Sequence, residues 1–145
     1  MSPAGPATGP RHCAAESGML KQKKILWEVP VSKAILFVFN GDPMCFVHVL
    51  LNALEMQARG QYGRIVIEGS ATRLVAELPK PDNPLHGLWE KVKAAGLVEG
   101  VCKACSQKMG SLAAAHEQNL PLLDDMNGHP SMARFREAGF DIVTF

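Results

Sequence analysis

One short segment, residues 34–39, constrains the fold more than any other part of the sequence. It reads Ala-Ile-Leu-Phe-Val-Phe, a continuous apolar run that is typical of a strand buried on both faces. The segment Asn40-Gly41-Asp42-Pro43 follows at once. Asp42 suits the N-cap of a helix and Pro43 its first position, where the missing N–H group costs nothing. The sequence therefore predicts a buried strand that leads directly into a helix over residues 43–59.

Strand and helix signals continue to alternate along the rest of the sequence. Further strands are predicted at residues 64–68, 97–102 and 140–145, with one short strand within 120–128, and helices at 70–77, 84–95, 106–119 and 130–138. Such alternation requires right-handed crossover connections between parallel strands. The chain therefore predicts an α/β fold, with a mostly parallel sheet of four to five strands and helices on both faces.

The predicted fold occupies only part of the chain. Residues 1–18 are rich in proline, glycine and alanine and predict a disordered leader. Residues 19–32 alternate apolar and polar side chains in part and predict an extended segment on an edge of the domain. Residues 33–145 then form a single domain, which suits a chain of 145 residues.

Charge and hydropathy exclude several classes of function. Fifteen Lys and Arg residues balance fourteen Asp and Glu residues, for a net charge of +1, and this argues against a nucleic-acid-binding protein. No stretch approaches the roughly 18 apolar residues that cross a bilayer, and the N-terminus lacks the apolar core of a secretory signal. We therefore expect a cytoplasmic protein with neither a nucleic-acid nor a membrane partner. Four cysteines are too few for a disulfide scaffold.

Two loops of the predicted sheet contain the residues that carry chemistry. Ligands and reactive groups of a parallel sheet collect at the carboxyl ends of its strands, here residues 40–45 and 102–106. The second loop places Cys102 and Cys105, in a Cys-x-x-Cys pattern, at the turn from a predicted strand into a predicted helix. In a cytosolic protein, paired cysteines at this spacing indicate redox, sulfur or metal chemistry.

The local electrostatics of this turn favour thiolates. The helix that follows presents unpaired N–H groups and the positive end of its dipole to the thiols. Lys103 and Lys108 add positive charge nearby. We therefore expect the pKa of Cys102 or Cys105 to fall below the ordinary value of about 8.5. The opposing interpretation is that both cysteines pack as small apolar residues.

Cys45 is a third thiol that the topology can bring to this loop. It follows Asp42 by three residues and so belongs to the first turn of its helix. If its strand neighbours the strand before Cys102, Cys45 approaches Cys102 and Cys105. His48, one turn further on, then completes a four-ligand metal set. The opposing interpretation makes Cys45 a buried helix residue and His48 part of a polar helix face.

Five other polar residues carry no recognisable chemical pattern. His86, His116 and His129 have no partner at a diagnostic spacing, and we interpret them as surface residues, with His129 also a candidate helix cap. Asp124 and Asp125 are adjacent and indicate a solvated turn rather than an acid–base pair.

The cysteine motif also carries a resemblance to a known family. The run Val101-Cys102-Lys-Ala-Cys105-Ser-Gln-Lys-Met-Gly110 after a strand, together with Ala138-Gly139-Phe140 before the last strand, resembles the DsrE/DsrF-like sulfur-relay superfamily. Its YchN-like branch carries a CxxC at this loop. The resemblance covers residues 33–145 and implies a three-layer α/β/α sandwich that assembles into a homo-oligomer, a dimer, trimer or hexamer. It also implies that Cys102 carries a persulfide and that Cys105 is the second thiol.

The first functional hypothesis is a sulfur or thiol relay. Cys102 attacks a donor persulfide and holds the terminal sulfur, and Cys105 then resolves it, releasing sulfide or handing the sulfur on. Lys103, Asp42 and Cys45 are accessory candidates. The partners are then sulfur donor and acceptor proteins, and no cofactor is required.

Two alternative functions stay open at this point. The first is a module that binds zinc or an iron–sulfur centre through Cys45, His48, Cys102 and Cys105. The second is a non-catalytic oligomeric scaffold that binds a small ligand, in which the thiols are incidental. Rapid alkylation of Cys102 and Cys105 near neutral pH distinguishes a relay from such a scaffold.

Overall fold

Strands and helices alternate along the described part of the chain. The computed structural model describes residues 30–145, so the predicted leader and most of the segment 19–32 lie outside it. The elements in chain order are β1 (Lys33–Val38), α1 (Pro43–Ala58), β2 (Tyr62–Ile67), a 3-10 helix (Gly69–Ala76), α2 (His86–Ala94), β3 (Val98–Cys102), α3 (Lys103–Met109), α4 (Leu112–Glu117), β4 (Leu122–Leu123), α5 (Met132–Glu137) and β5 (Asp141–Thr144). Within residues 30–145, no helix combines the length and the apolar character needed to cross a bilayer.

The five strands of the described residues form one sheet in the order β4-β3-β2-β1-β5, and every neighbouring pair is parallel. From β1 to β4 the chain moves one strand at a time in the same direction. Because right-handed crossovers then fall on one side of the sheet, the connecting helices share that face. The chain next returns to the far side of β1, and α5 covers the opposite face. The predicted α/β/α architecture is confirmed.

Each face of the sheet buries its own core. The larger core lies under α1, α2 and α4, where Trp89 and Phe46 pack, without solvent exposure, on Ile65 and Ile67 of β2. The smaller core lies under α5, where Phe135 packs against Ile35 and Phe37 of β1. Strand β1 is therefore buried on both sides, as its continuous apolar sequence predicts, and the apolar residues of β2 also contribute to both cores.

The N-terminus of α1 follows the predicted capping chemistry. The Asp42 carboxylate accepts a hydrogen bond from the Met44 amide at 2.8 Å, and Pro43 is the first helical residue. Ser70, at the start of the helix predicted over residues 70–77, does not cap that helix. Its hydroxyl donates to the Phe39 carbonyl and accepts from the Gly41 amide, so it joins the loop after β1 to the 3-10 helix. The predicted short helix is therefore a 3-10 helix without a side-chain cap.

The prediction of one helix over residues 106–119 is wrong. The helix α3 already begins at Lys103, because the Cys102 side chain caps it. It ends at Gly110, whose φ of +73° suits a residue without a Cβ, and α4 begins after Ser111. The last helix also differs: Ser131, rather than His129, caps α5 by accepting a hydrogen bond from the Arg134 amide.

Candidate functional site

The carboxyl ends of three neighbouring strands hold the reactive side chains. Cys102 is the last residue of β3 and the N-cap of α3, and Cys105 belongs to the first turn of that helix. The Cys102 sulfur accepts a hydrogen bond from the Cys105 amide at 3.3 Å. The Ser106 hydroxyl, fully buried, donates to the Cys102 carbonyl at 2.8 Å. Glu68 follows β2 directly, on the next strand of the sheet.

A tight turn after β4 delivers a third side chain to the two thiols. Met126 and His129 exchange both backbone hydrogen bonds, and the two residues between them, Asn127 and Gly128, have φ values of +49° and +89°. Positive φ at both central positions defines a type I′ turn. The Gly128 carbonyl then accepts a hydrogen bond from the Ala104 amide at 2.8 Å, which joins the turn to α3.

His129 meets both cysteines through one ring nitrogen. Its Nδ1 lies 3.2 Å from the Cys102 sulfur and 3.7 Å from the Cys105 sulfur. The three donor atoms lie within 4.8 Å of one another. The Glu68 carboxylate lies 3.8 Å from the same nitrogen. We call Cys102, Cys105 and His129 the Cys-Cys-His cluster. Its chemistry is that of two soft thiols beside a proton acceptor that also binds metals.

Burial sets the proton affinity of this cluster. Cys102 is 0% exposed, and burial raises the pKa of its thiol to about 12, with a further increase from its side-chain hydrogen bond with Cys105. The expectation of a lowered pKa is therefore wrong for Cys102, because loss of hydration outweighs the amide at the start of α3. Burial also raises the pKa of the Glu68 carboxyl, and the neighbouring His129 imidazole opposes that increase.

The two thiols differ in accessibility. Cys102 is fully buried, whereas Cys105 is partly exposed, and so is His129. The Cys102 thiol lies 3.6 Å from the Gly128 carbonyl, to which it donates. A reagent or partner protein therefore reaches Cys105 before it reaches Cys102.

The remaining predicted site residues lie around the cluster or apart from it. Lys103 forms a surface ion pair with Asp124 at 3.1 Å. Asp42 is occupied as the cap of α1. Cys45 lies in the first turn of α1 and accepts a hydrogen bond from Asn40, while His48 is exposed on the same helix. The structure brings neither Cys45 nor His48 into the Cys-Cys-His cluster, because β2 separates β1 from β3.

His129 is the functional residue that the sequence interpretation missed. It was expected at the surface or as a helix cap, but its ring contacts both thiols. A local signal was present: Asn127-Gly128 is a strong signature of a type I′ turn. The position of that turn depends on β4, which is two residues long and pairs Leu123 with Cys102.

Comparison with known proteins finds archaeal relatives. The chain is 31% identical over 97 residues to the uncharacterized protein MJ0733 of Methanocaldococcus jannaschii, a match that covers 67% of this chain and 77% of the relative. The chain belongs to the MJ0733 family. An uncharacterized protein of Archaeoglobus fulgidus is 42% identical over 40 residues, or 28% of this chain and 66% of that protein. No protein-family model and no solved structure matches the chain. The function of this MJ0733-family chain is therefore inferred from its site.

Proposed function

We propose that this protein carries sulfur as a cysteine persulfide on the Cys-x-x-Cys pair, between a donor protein and an acceptor thiol. The observation that carries the proposal is the convergence of both sulfurs on His129 Nδ1 at the carboxyl edge of the sheet. The resemblance of the loop to DsrE/DsrF-like proteins supports the same chemistry, as does its position after a parallel strand. A homo-oligomer and a cytoplasmic location stay predictions of that resemblance and of the sequence.

The different burial of the two thiols assigns their roles. Cys105 is partly exposed and accepts the sulfur, whereas Cys102 is buried beneath it. His129, 3.7 Å from Cys105, takes the thiol proton. The Cys105 thiolate attacks the outer sulfur of the donor persulfide, a new S–S bond forms, and the donor leaves as a thiolate. This order of roles is the reverse of the one expected from the sequence.

The sulfur leaves Cys105 by one of two routes, transfer to an acceptor thiol or release as hydrosulfide. An acceptor thiolate attacks the outer sulfur of the Cys105 persulfide and regenerates the Cys105 thiolate, with no net oxidation. Alternatively, the Cys102 thiolate attacks the inner sulfur, hydrosulfide leaves, and a Cys102–Cys105 disulfide remains for a thiol reductant to reduce. The high pKa of Cys102 favours the first route, because the thiol form is a poor nucleophile.

The test is intact-protein mass spectrometry of the reduced, metal-free full chain. The protein is measured before and after incubation with a cysteine desulfurase and cysteine. We expect a gain of one sulfur atom that maps to Cys105. Cys105→Ser removes the gain, whereas Cys45→Ser, the control on α1, retains it. Loading that is equal in Cys105→Ser and in the unchanged chain would contradict the proposal, and so would the absence of any gain in the unchanged chain.

The role of His129 has its own readout. His129→Gln removes the proton acceptor, so the rate of loading at neutral pH falls while loading at high pH recovers, since hydroxide then deprotonates Cys105. His116→Gln is the matched control, because His116 is exposed on α4 and apart from the cluster. An unchanged pH profile in His129→Gln would contradict the assigned role.

A further inference from the structure

The dimensions of the Cys-Cys-His cluster also match those of a metal-binding site. Zinc binds thiolate sulfur at about 2.3 Å and imidazole nitrogen at about 2.0–2.1 Å, so a tetrahedral ion holds its sulfur and nitrogen ligands about 3.6 Å apart. The sulfurs of Cys102 and Cys105 lie 3.2 Å and 3.7 Å from His129 Nδ1. Both sulfur–nitrogen distances therefore lie within about 0.4 Å of the separation that a tetrahedral zinc ion requires.

The donor set suits a divalent ion of the zinc class. Two thiolates and one imidazole are the soft and borderline ligands that such ions prefer. The Glu68 carboxylate, 3.8 Å from the imidazole nitrogen, adds negative charge on the same side of the sheet. Two thiolates neutralise the charge of a divalent ion, so an ion bound beside the buried Cys102 sulfur does not leave an uncompensated charge there.

The backbone holds the three ligands in place before an ion arrives. Cys102 and Cys105 are fixed on one helix start, where the Cys105 amide already donates to the Cys102 sulfur. His129 is fixed by the type I′ turn, and the Gly128 carbonyl bonds that turn to Ala104 of the same helix. Ion binding therefore orders little additional chain, and preorganisation of this kind raises affinity.

We propose that Cys102, Cys105 and His129 bind one divalent ion of the zinc class, and that the bound ion caps both thiols against sulfur loading. Binding breaks two S–H bonds, releases two protons and forms two metal–sulfur bonds and one metal–nitrogen bond, with no change of oxidation state. Three protein ligands leave a fourth position open. The binding step is independent of the proposed sulfur chemistry, and only the capping consequence rests on it.

The test begins with the reduced full chain after removal of metal by a chelator. Zn²⁺ is titrated in competition with a chromophoric chelator, and Co²⁺ is added separately to record the visible absorption of a tetrahedral sulfur–nitrogen site. We expect one ion per chain. His129→Gln lowers the affinity by more than about 100-fold, since loss of an outer-shell partner alone costs about 10–100-fold. His116→Gln and Cys45→Ser, the matched controls, bind as the unchanged chain does.

Two results of the titration would overturn the proposal. The first is that the reduced chain binds no Zn²⁺ although a thiol count shows that its cysteines are free. The second is that His129→Gln binds Zn²⁺ with the same affinity as the unchanged chain. A measurement on the unchanged chain covers the case in which a variant fails to fold: stoichiometric Zn²⁺ must protect Cys105 from alkylation. Absence of that protection would also overturn the proposal. Sulfur loading is assayed on metal-free protein, so the two proposals succeed or fail separately.

Discussion

Replacement of Gly128 by alanine tests the geometry that holds the cluster together. The backbone φ of Gly128 is +89°, a region in which a residue with a Cβ is strained by about 1–3 kcal/mol. A Cβ at this position would also lie 2.9 Å from the Cβ of Ala104 on α3. Overpacking of this kind adds about 1–3 kcal/mol, because neither methyl group can rotate away. We therefore expect Gly128→Ala to reduce the free energy of unfolding by about 2–6 kcal/mol.

A double-mutant cycle separates the two contributions to this loss. Ala104→Gly removes the methyl group that the new Cβ would meet, at a cost of about 1 kcal/mol for a glycine in a helix. In the double variant the steric contribution disappears and the backbone strain remains. Urea denaturation of the four proteins should therefore show a favourable coupling energy of about 1–3 kcal/mol between the two positions.

Gly87→Ala is the matched control for this cycle. Gly87 lies in α2, and a Cβ there would meet nothing within 4 Å. That change should leave stability unchanged or raise it by up to about 1 kcal/mol, as helix propensity requires. Additive effects of Gly128→Ala and Ala104→Gly would refute the predicted contact. A loss below about 1 kcal/mol in Gly128→Ala would refute the strain argument as well.

Three further predictions concern stability. Burial raises the pKa of Cys102 to about 12 in the folded chain, whereas the unfolded thiol loses its proton near its ordinary pKa of about 8.5, so stability falls as pH rises through this range. Urea denaturation from pH 9 upward should show that the free energy of unfolding declines more steeply with pH than in Cys102→Ala, by up to about 1.4 kcal/mol per pH unit. Parallel plots of this free energy against pH for the two proteins would contradict the prediction. Trp89→Phe removes the 2.7 Å hydrogen bond from the buried indole to Gln118 and should cost about 1–3 kcal/mol in chemical denaturation; a cost near zero would show that the bond is replaced. Lys103→Ala breaks only a surface ion pair with Asp124, and thermal denaturation should detect less than about 1 kcal/mol.

The parts of the fold that the sequence predicts are those that local chemistry controls. The strand β1 is recognisable because its run of apolar side chains is buried on both faces, and α1 because Asp42 and Pro43 satisfy its first turn without help from other elements. The break at Gly110 was not predicted, because the apolar and helix-forming residues on both sides of it read as one continuous helix. Only the left-handed backbone of that glycine divides them.

Only part of the candidate site follows from local sequence patterns. The Cys-x-x-Cys spacing indicates the chemistry, and the strand-to-helix turn indicates its place on the sheet. The third member, His129, lies 27 residues from Cys102 along the chain and reaches it through a strand of two residues, which has no periodicity to recognise. The pKa of Cys102 was expected to fall because the helix start is visible in the sequence, whereas the burial that raises it depends on the whole fold.

The position of β1 in the sheet has a consequence for synthesis of the protein. Ala34 pairs with Asp141, and the backbone around Phe37 bonds to Phe145, so the first strand of the sheet completes its pairing with the last. While the chain is still on the ribosome, β1 can join β2, but among residues 30–145 its other edge has no partner strand until residues 141–145 have emerged. Unpaired, strongly apolar edges recruit other strands. The nascent chain therefore passes through a stage at which chaperones or slow translation would protect it from aggregation. A chain whose translation stops near residue 140 would keep this edge of β1 unpaired by β5.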